Sequence, residues 1–263
     1  MSQSYLLSDK ELREREIDRL IQQAKLLLDR EFGFWGKYTS NKVFDVGCGV
    51  GVLGAFLVRK GLKEYVGVDS NANLLSEARE LNPVSNCSFL QGSLYSLSEI
   101  QAALHDVQGA TIVVRYVLQH LDFSLAQPTL DWLLRVERRG PLVLIDAEDS
   151  VILEHDPTGV LGRLLEDKSS TQKSKGGNRS ALQELTIAKA VRSSIKAEAT
   201  LKIESGTDIE SKKQWCEVLW PVLTSGEEFK SKGALYKAGN AWKESFLSET
   251  SSGSAFGIRI VIL

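Results

Sequence analysis

The chain has 263 residues, 43% hydrophobic and 25% charged, with a formal net charge of -2. This is an ordinary globular composition; the charge excludes a general attraction to nucleic acid or anionic membrane, and no apolar run approaches the roughly 20 residues that cross a bilayer. The three cysteines, Cys48, Cys87 and Cys216, are too scattered for a CxxC pair or a zinc knuckle and read as reduced thiols of a cytoplasmic protein.

The first stretch, MSQSYLLSDKELRERE, turns charged after a short apolar run, so it is not expected to be a signal peptide. Residues 8 to 31 carry a helical period. Leu12, Ile17, Leu20, Ile21, Ala24, Leu27 and Leu28 share one face, and Ser8 with Glu11 forms a capping box. An amphipathic helix packed on the main domain is expected, of the kind that covers an active site. The aromatic FGFWGKY follows, to line a pocket or simply pack.

From residue 42 the element types alternate. KVFDV reads as a strand. VGVLGAFLVRKG reads as a helix with Gly61 as C-cap. EYVGVD is a strand, and NANLLSEAREL is a helix ending before Pro83. CSFLQG is a short strand, SLSEIQAALHD a helix and ATIVVRYV a strand. PTLDWLLRVERRG is a helix with Pro128 near its start, and PLVLIDAE is a strand. Such alternation predicts an α/β fold, a doubly wound Rossmann-like parallel sheet with helices on both faces.

After Glu148 the order loosens. Residues 168 to 180, KSSTQKSKGGNRS, are polar and basic with no apolar anchor and read as a solvated loop tip or disordered stretch, the alternative being that Lys168, Lys173, Lys175 and Arg179 touch phosphate. ALQELTIAKAVRSS reads as a helix and KAEATLKIES as a strand. DIESKKQWCEVLWPVL is a helix stopped near Pro221, and ALYKAGNAWKESFLSE is another. The final FGIRIVIL is a β-branched strand expected to be buried in the sheet. The organisation expected is one domain: an N-terminal helical cap (1–40), a cofactor-binding core (42–150), a cap or insertion region (151–255) and a terminal strand (256–263).

The most informative stretch is VFDVGCGVGVLG, residues 43 to 54. Ligands of parallel sheets bind at the carboxyl ends of the strands, where strand order reverses. A Cβ at Gly47, Gly49 or Gly51 would hold a ligand off, and glycine permits positive φ. Amides exposed at the start of the next helix favour an anionic or electron-rich group. Two cofactor classes suit this turn. GVGVLG (Gly49, Gly51, Gly54) satisfies the dinucleotide pattern GxGxxG, with Asp69 at the distance of its ribose-binding acid.

FDVGCGVG resembles motif I of the class I S-adenosylmethionine-dependent methyltransferases, an acid and then GxGxG after an apolar strand. That resemblance also accounts for Asp45, where dinucleotide folds usually run from apolar strand straight into glycine. It implies that the Asp45 carboxylate fixes the glycine loop through backbone amides, near the amino-acid portion of the cofactor. YVGVDSNANLLSEARE resembles the second motif, with Asp69 accepting both ribose hydroxyls. FLQGSL resembles the motif after strand three, with Ser93 where the family most often has an aspartate for the adenine amino group. VVRYVLQHL resembles the segment after strand four of the small-molecule type. The resemblance covers roughly residues 42 to 150. It implies a seven-stranded sheet, mostly parallel, with FGIRIVIL as an antiparallel C-terminal strand, plus a helical cap. The cofactor implied is S-adenosyl-L-methionine. Its contacts fall on Asp45, Gly47, Cys48, Gly49, Gly51, Asp69, Ser70, Gly92, Ser93, Leu94 and Arg115.

Arg115, Tyr116 and His120 follow strand four, where the methyl group would be delivered. His120 is a candidate general base, and Tyr116 is the second catalytic candidate; the alternative is that they line the pocket. DAEDS places Asp146, Glu148 and Asp149 at the end of strand five, able to grip a cationic acceptor or to stand as solvated loop charges. His155 and Asp156 do not make a metal set, and no metal is expected. No DPPY-type motif stands at RYVL, which argues against methylation of nucleic-acid base amines. The function expected is methyl transfer to an oxygen, nitrogen or carbon of a small molecule. The alternatives are a nicotinamide-dependent oxidoreductase using GVGVLG and a methyltransferase-like scaffold without turnover.

Overall fold

The computed structural model describes residues 10–96, 100, 109–136, 140–187, 189–248 and 254–263. The predicted Ser8 cap, most of the helix predicted over SLSEIQAALHD and the side chain of Leu12 lie outside the described residues. Helix α1 (Lys10–Trp35) precedes β1 (Lys42–Val46), α2 (Val52–Arg59), β2 (Glu64–Asp69), α3 (Ala72–Leu81) and β3 (Cys87–Gln91). Then come β4 (Thr111–Arg115), α4 (Phe123–Arg135), β5 (Leu142–Glu148), α5 (Asp149–Glu154), α6 (Val160–Ser174), α7 (Ala181–Ile187) and α8 (Lys189–Arg192). The chain closes with β6 (Ala197–Glu204), α9 (Ile209–Leu223), α10 (Glu227–Lys230), α11 (Ala234–Phe246) and β7 (Ala255–Ile262).

The strands form one seven-stranded sheet in the order β3-β2-β1-β4-β5-β7-β6. β1 to β5 pair in parallel, and β7 inserts antiparallel between β5 and β6. The direction of winding reverses between β1 and β4, so the crevice for a ligand opens above those two carboxyl ends. Pattern explains the placement. β1, β4, β5 and β7 are almost continuously buried, as strands covered on both faces must be. β6 at one edge alternates exposed residues with partly covered ones. One core layer packs Trp35, Leu27 and Leu28 with Phe56, Trp215 and Leu219. The other packs Val66, Ile112, Leu130, Leu144 and Leu182.

Helix α9 ends at Leu223, near Pro221 as expected. Three elements differ from expectation. α1 runs through the aromatic segment to Trp35, whose side chain is fully buried. Pro128 lies inside α4 rather than near its start, because the helix begins earlier, where the Asp122 side chain accepts from the Ser124 amide. The basic stretch expected as a loop is helical through Ser174. Leu161, Leu164 and Leu165 of α6 are buried, and the same helical face continues past residue 168 to Thr171.

Candidate active site

The turn after β1 carries three left-handed glycines, Gly47 (φ 77°), Gly49 (φ 55°) and Gly51 (φ 69°). The amides of Gly47 and Cys48 both donate to the Val68 carbonyl, at 2.7 and 3.0 Å, so the turn is strapped to the end of β2. The glycines do different things. A Cβ on Gly47 would come within 2.3 Å of Val117 Cγ2, and one on Gly51 within 2.7 Å of Phe89. Both vacancies are filled by packing. Only Gly49 opens to free space, with Leu20 Cδ1 at 3.8 Å as the nearest atom to its missing Cβ.

The two acids divide the work differently from expectation. Asp69, at the end of β2, accepts from the Gly49 amide through Oδ2 and from the Asn71 amide through Oδ1, both at 2.9 Å. Burial raises its pKa, and the backbone amides of Asn71, Gly49 and Ser70 oppose that. Asp45 is buried behind the loop and takes a 2.5 Å hydrogen bond from the Tyr65 hydroxyl. Burial lifts its pKa to about 6 against the lowering effect of Tyr65 and Arg115. The acid that fixes the loop amide at Gly49 is therefore Asp69. The reason is register: Asp45 stands opposite Gly67 in β2, whose missing side chain leaves the space there to Cys48 and Phe89.

A cavity of about 300 Å³ lies over this turn. Of the residues assigned from sequence, it is lined by Gly47, Cys48, Gly49, Asp69, Ser70, Gly92, Ser93, Leu94, Arg115, Tyr116 and His120. Asp45 and Gly51 are not on its wall. Ser93 Oγ accepts from the Tyr95 amide at 3.1 Å. Burial pushes the Cys48 thiol up, so it stays protonated.

After β4, Tyr116 holds a positive φ of 57°, unusual for a side-chain-bearing residue. It is fastened there by Glu31 of α1, which is fully buried. The Tyr116 hydroxyl donates to Glu31 at 2.8 Å, and Arg115 donates from Nε and Nη2 at 2.7 and 3.1 Å. The Arg115 guanidinium sits 4.6 Å from the centre of the Tyr116 ring. Burial, reinforced by Glu31, raises the Tyr116 pKa, so its ring faces the cavity while its hydroxyl is engaged with α1. His120 also lines the cavity. Burial first, then Lys168, Arg179 and Arg19, push its pKa down to about 3, leaving a neutral imidazole near pH 7.

The strand-five acids are mostly engaged. Asp146 accepts from the amides of Gln119 (3.2 Å) and Ala147 (2.9 Å), and burial lifts its pKa to about 7. Glu148 meets Ser150 and Arg259. Asp149 is the one of the three on the cavity wall, and it pairs with Arg179, 2.5 Å from Nη2 to Oδ1.

Several wall residues escaped the sequence reading. Arg19, Leu20 and Gln23 come from α1, and Lys168 and Arg179 from the stretch read as a solvated loop. That segment docks instead. Gln172 Nε2 and the Asn178 amide both donate to the Gln119 carbonyl, the latter at 3.0 Å. A Cβ on Gly177 would approach that same carbonyl to 2.9 Å. The signal was a helical spacing, Leu161, Leu164, Leu165, Lys168, inside a polar window. Among the described residues no group of three or more His, Cys, Asp or Glu side chains is placed to hold a metal ion, and no helix is long and apolar enough to cross a membrane.

Residues 43–140 match the family model described as a methyltransferase domain. A methyltransferase from Anabaena variabilis, described as S-adenosylmethionine-dependent, shares the fold with a TM-score of 0.56 at 11% identity, over 90% of this chain and 83% of that one. The methyltransferase domain of bacterial CtHen1 shares it with a TM-score of 0.52 at 17% identity, over 92% of this chain and 100% of that one. No curated protein is significantly similar in sequence. The chain thus shares the fold of S-adenosylmethionine-dependent methyltransferases, and the match to the methyltransferase-domain model falls on residues 43–140, the part that carries the glycine turn and Asp69.

Proposed function

We propose that this methyltransferase binds S-adenosylmethionine over the β1 turn and transfers its methyl group to a small molecule that enters beneath α1 and α6. The observation that carries the reading is the Gly49–Asp69 unit: an open glycine and a buried carboxylate, joined by a hydrogen bond, on one cavity wall. The Asp69 carboxylate, held by the Gly49 and Asn71 amides at the cavity wall, has the paired oxygens that suit a ribose diol. Ser70, Gly92, Ser93 and Leu94 continue that wall toward the adenine. The cofactor supplies an activated methyl on a sulfonium, which leaves as a neutral thioether when the acceptor's lone pair forms the new bond to carbon. The chain's own residues need supply little beyond alignment and exclusion of water.

Tyr116 serves by its ring and by the backbone shape that it holds, since its hydroxyl is given to Glu31. His120, neutral near pH 7, is placed to accept a hydrogen bond or a proton from the acceptor. The acceptor atom in this reading is oxygen, nitrogen or carbon. The three cysteines, all free, fit a reducing compartment such as the cytoplasm.

The test is calorimetric titration with S-adenosylhomocysteine, with NADH in parallel. Saturable binding of the thioether alone is expected. Replacing Asp69 with Ala removes a charge-assisted contact of about 1.5–3 kcal/mol, a loss of roughly 10–100-fold in affinity. Unchanged affinity in that variant, or binding of NADH alone, would sink the reading and return the glycine turn to a dinucleotide.

A further inference from the structure

Charge is unevenly spread around the cavity. Its charged wall residues are Arg19, Asp69, Arg115, Asp149, Lys168 and Arg179, four cations against two acids. Asp69 belongs to the end beneath β2, and Arg115 is matched by buried Glu31. What remains gathers beneath α1 and α6: Arg19, Lys168 and Arg179 beside His120, with Asp149 as the one acid on that wall. Arg179 is paired to Asp149 and Arg19 to Glu16, at 2.7 Å. Lys168 has no acid within ion-pairing distance among the described residues. It is half-buried and looks into the cavity, with Arg179 and Arg19 as its strongest neighbours.

Three cations crowded on one cavity wall, one of them half-buried and, among the described residues, without an ion-pair partner, favour the arrival of something negative. A sulfonium cofactor would add a further positive charge to the same space. From this wall we propose that the methyl acceptor is an anionic small molecule whose oxyanion, carboxylate or phosphate, is bound by Lys168 and Arg179 beside His120. The inference rests on the cofactor reading above and replaces a cationic acceptor with an anionic one. The oxyanion supplies the counter-charge that Lys168 lacks. Its arrival also offsets the cations that hold His120 neutral, so acceptor binding makes the imidazole a stronger base where a proton has to leave.

An arriving anion should therefore raise the pKa of both Lys168 and His120. The groups facing Lys168 are Arg19 and Glu16 from α1, Arg179 from the segment after α6, and Asp149 from α5. Burial and the two arginines hold the Lys168 pKa well below its usual range, and an incoming anion reverses that. The cofactor has a carboxylate of its own, so the experiment has to separate the two anions.

S-adenosylhomocysteine and 5′-methylthioadenosine, which lacks the carboxylate, are titrated into the wild type and Lys168→Gln. The protein saturated with S-adenosylhomocysteine is then titrated with inorganic phosphate, benzoate and neutral benzamide, in buffers of different ionisation enthalpy. The expected result is unchanged S-adenosylhomocysteine affinity in Lys168→Gln. Phosphate or benzoate, but not benzamide, should bind the loaded wild type with proton uptake, and at least tenfold more weakly to the loaded variant. Phosphate alone marks a phosphorylated acceptor and benzoate alone a carboxylic acid. A tenfold loss of S-adenosylhomocysteine with 5′-methylthioadenosine unaffected would assign Lys168 to the cofactor and overturn the proposal. Failure of both anions, or equal binding of benzamide, would also overturn it. If S-adenosylhomocysteine does not bind the wild type, it is the cofactor reading that has failed.

Discussion

Tyr65 and Asp45 show how much one buried hydrogen bond can decide. The phenol donates at 2.5 Å to a carboxylate that burial lifts to about 6, and the pair stands directly behind the glycine turn. A carboxyl with a raised native pKa favours the folded state most below its unfolded value of about 3.9, and that contribution is lost as pH rises through about 6. The Tyr65 bond limits the loss by stabilising the ionised form. Replacing Tyr65 with Phe should therefore destabilise the chain by about 1–3 kcal/mol, and by more at pH 8 than at pH 5. Urea melts at the two pH values check this; an equal cost at both would mean that Asp45 does not ionise there. Neighbouring Gly47 has a steric role. Gly47→Ala forces a Cβ to within 2.3 Å of Val117 at φ 77°. It should weaken S-adenosylhomocysteine binding and lower the melting temperature together. A variant with wild-type affinity would show that the turn yields.

Among the elements, α1 is tied to the reaction end of the sheet by one residue. Glu31 accepts from Arg115 twice and from Tyr116 once, all in a buried setting. Glu31→Gln would leave the Arg115 charge buried without its partner, a cost of about 3–5 kcal/mol. The positive φ of Tyr116 would lose its restraint as well. Denaturation should show a loss of that order, and calorimetry a weaker cofactor; a variant with unchanged stability would mean that α1 is not anchored there. This anchor was not legible in the sequence. The amphipathic period of α1 was, and so were β1, β2, β4 and β5, because runs buried on both faces are apolar throughout while the intervening helices are not. The Gly47–Gly51 turn and Asp69 were readable for a similar reason: local backbone geometry demands them. That Asp69 rather than Asp45 holds the Gly49 amide was hidden, since it depends on which residue of β2 stands across from Asp45. The place of Lys168 and Arg179 on the cavity wall was hidden too, although their basic charge was not. A polar window shows its composition more loudly than the Leu161, Leu164, Leu165 spacing that carries Lys168 inward.

At the scale of the whole molecule, the cavity is assembled from parts far apart in the chain. Its floor is the carboxyl end of β1, β2 and β4, and its walls are α1, the α6–Arg179 segment and Leu219, Val222 and Leu223 of α9. α1 itself packs on α9, α2, β6 and β7, so it links the ligand space to the antiparallel end of the sheet. A ligand that fills such a space binds the folded state alone. Saturation with S-adenosylhomocysteine at a hundred times its Kd should add about 2.7 kcal/mol, a rise in melting temperature of roughly 5–10 °C. The gain should also be spread over the molecule. Amide hydrogen exchange should slow in residues 16–31 of α1 and 172–179 after α6 as well as at 47–51, because those walls open only when the contacts with the ligand are broken. Protection confined to the glycine turn would mean that the cofactor rests on the sheet alone. α1 would then be a packing helix that happens to lie near the site, and the variant at Glu31 would act on stability without changing the affinity for the cofactor.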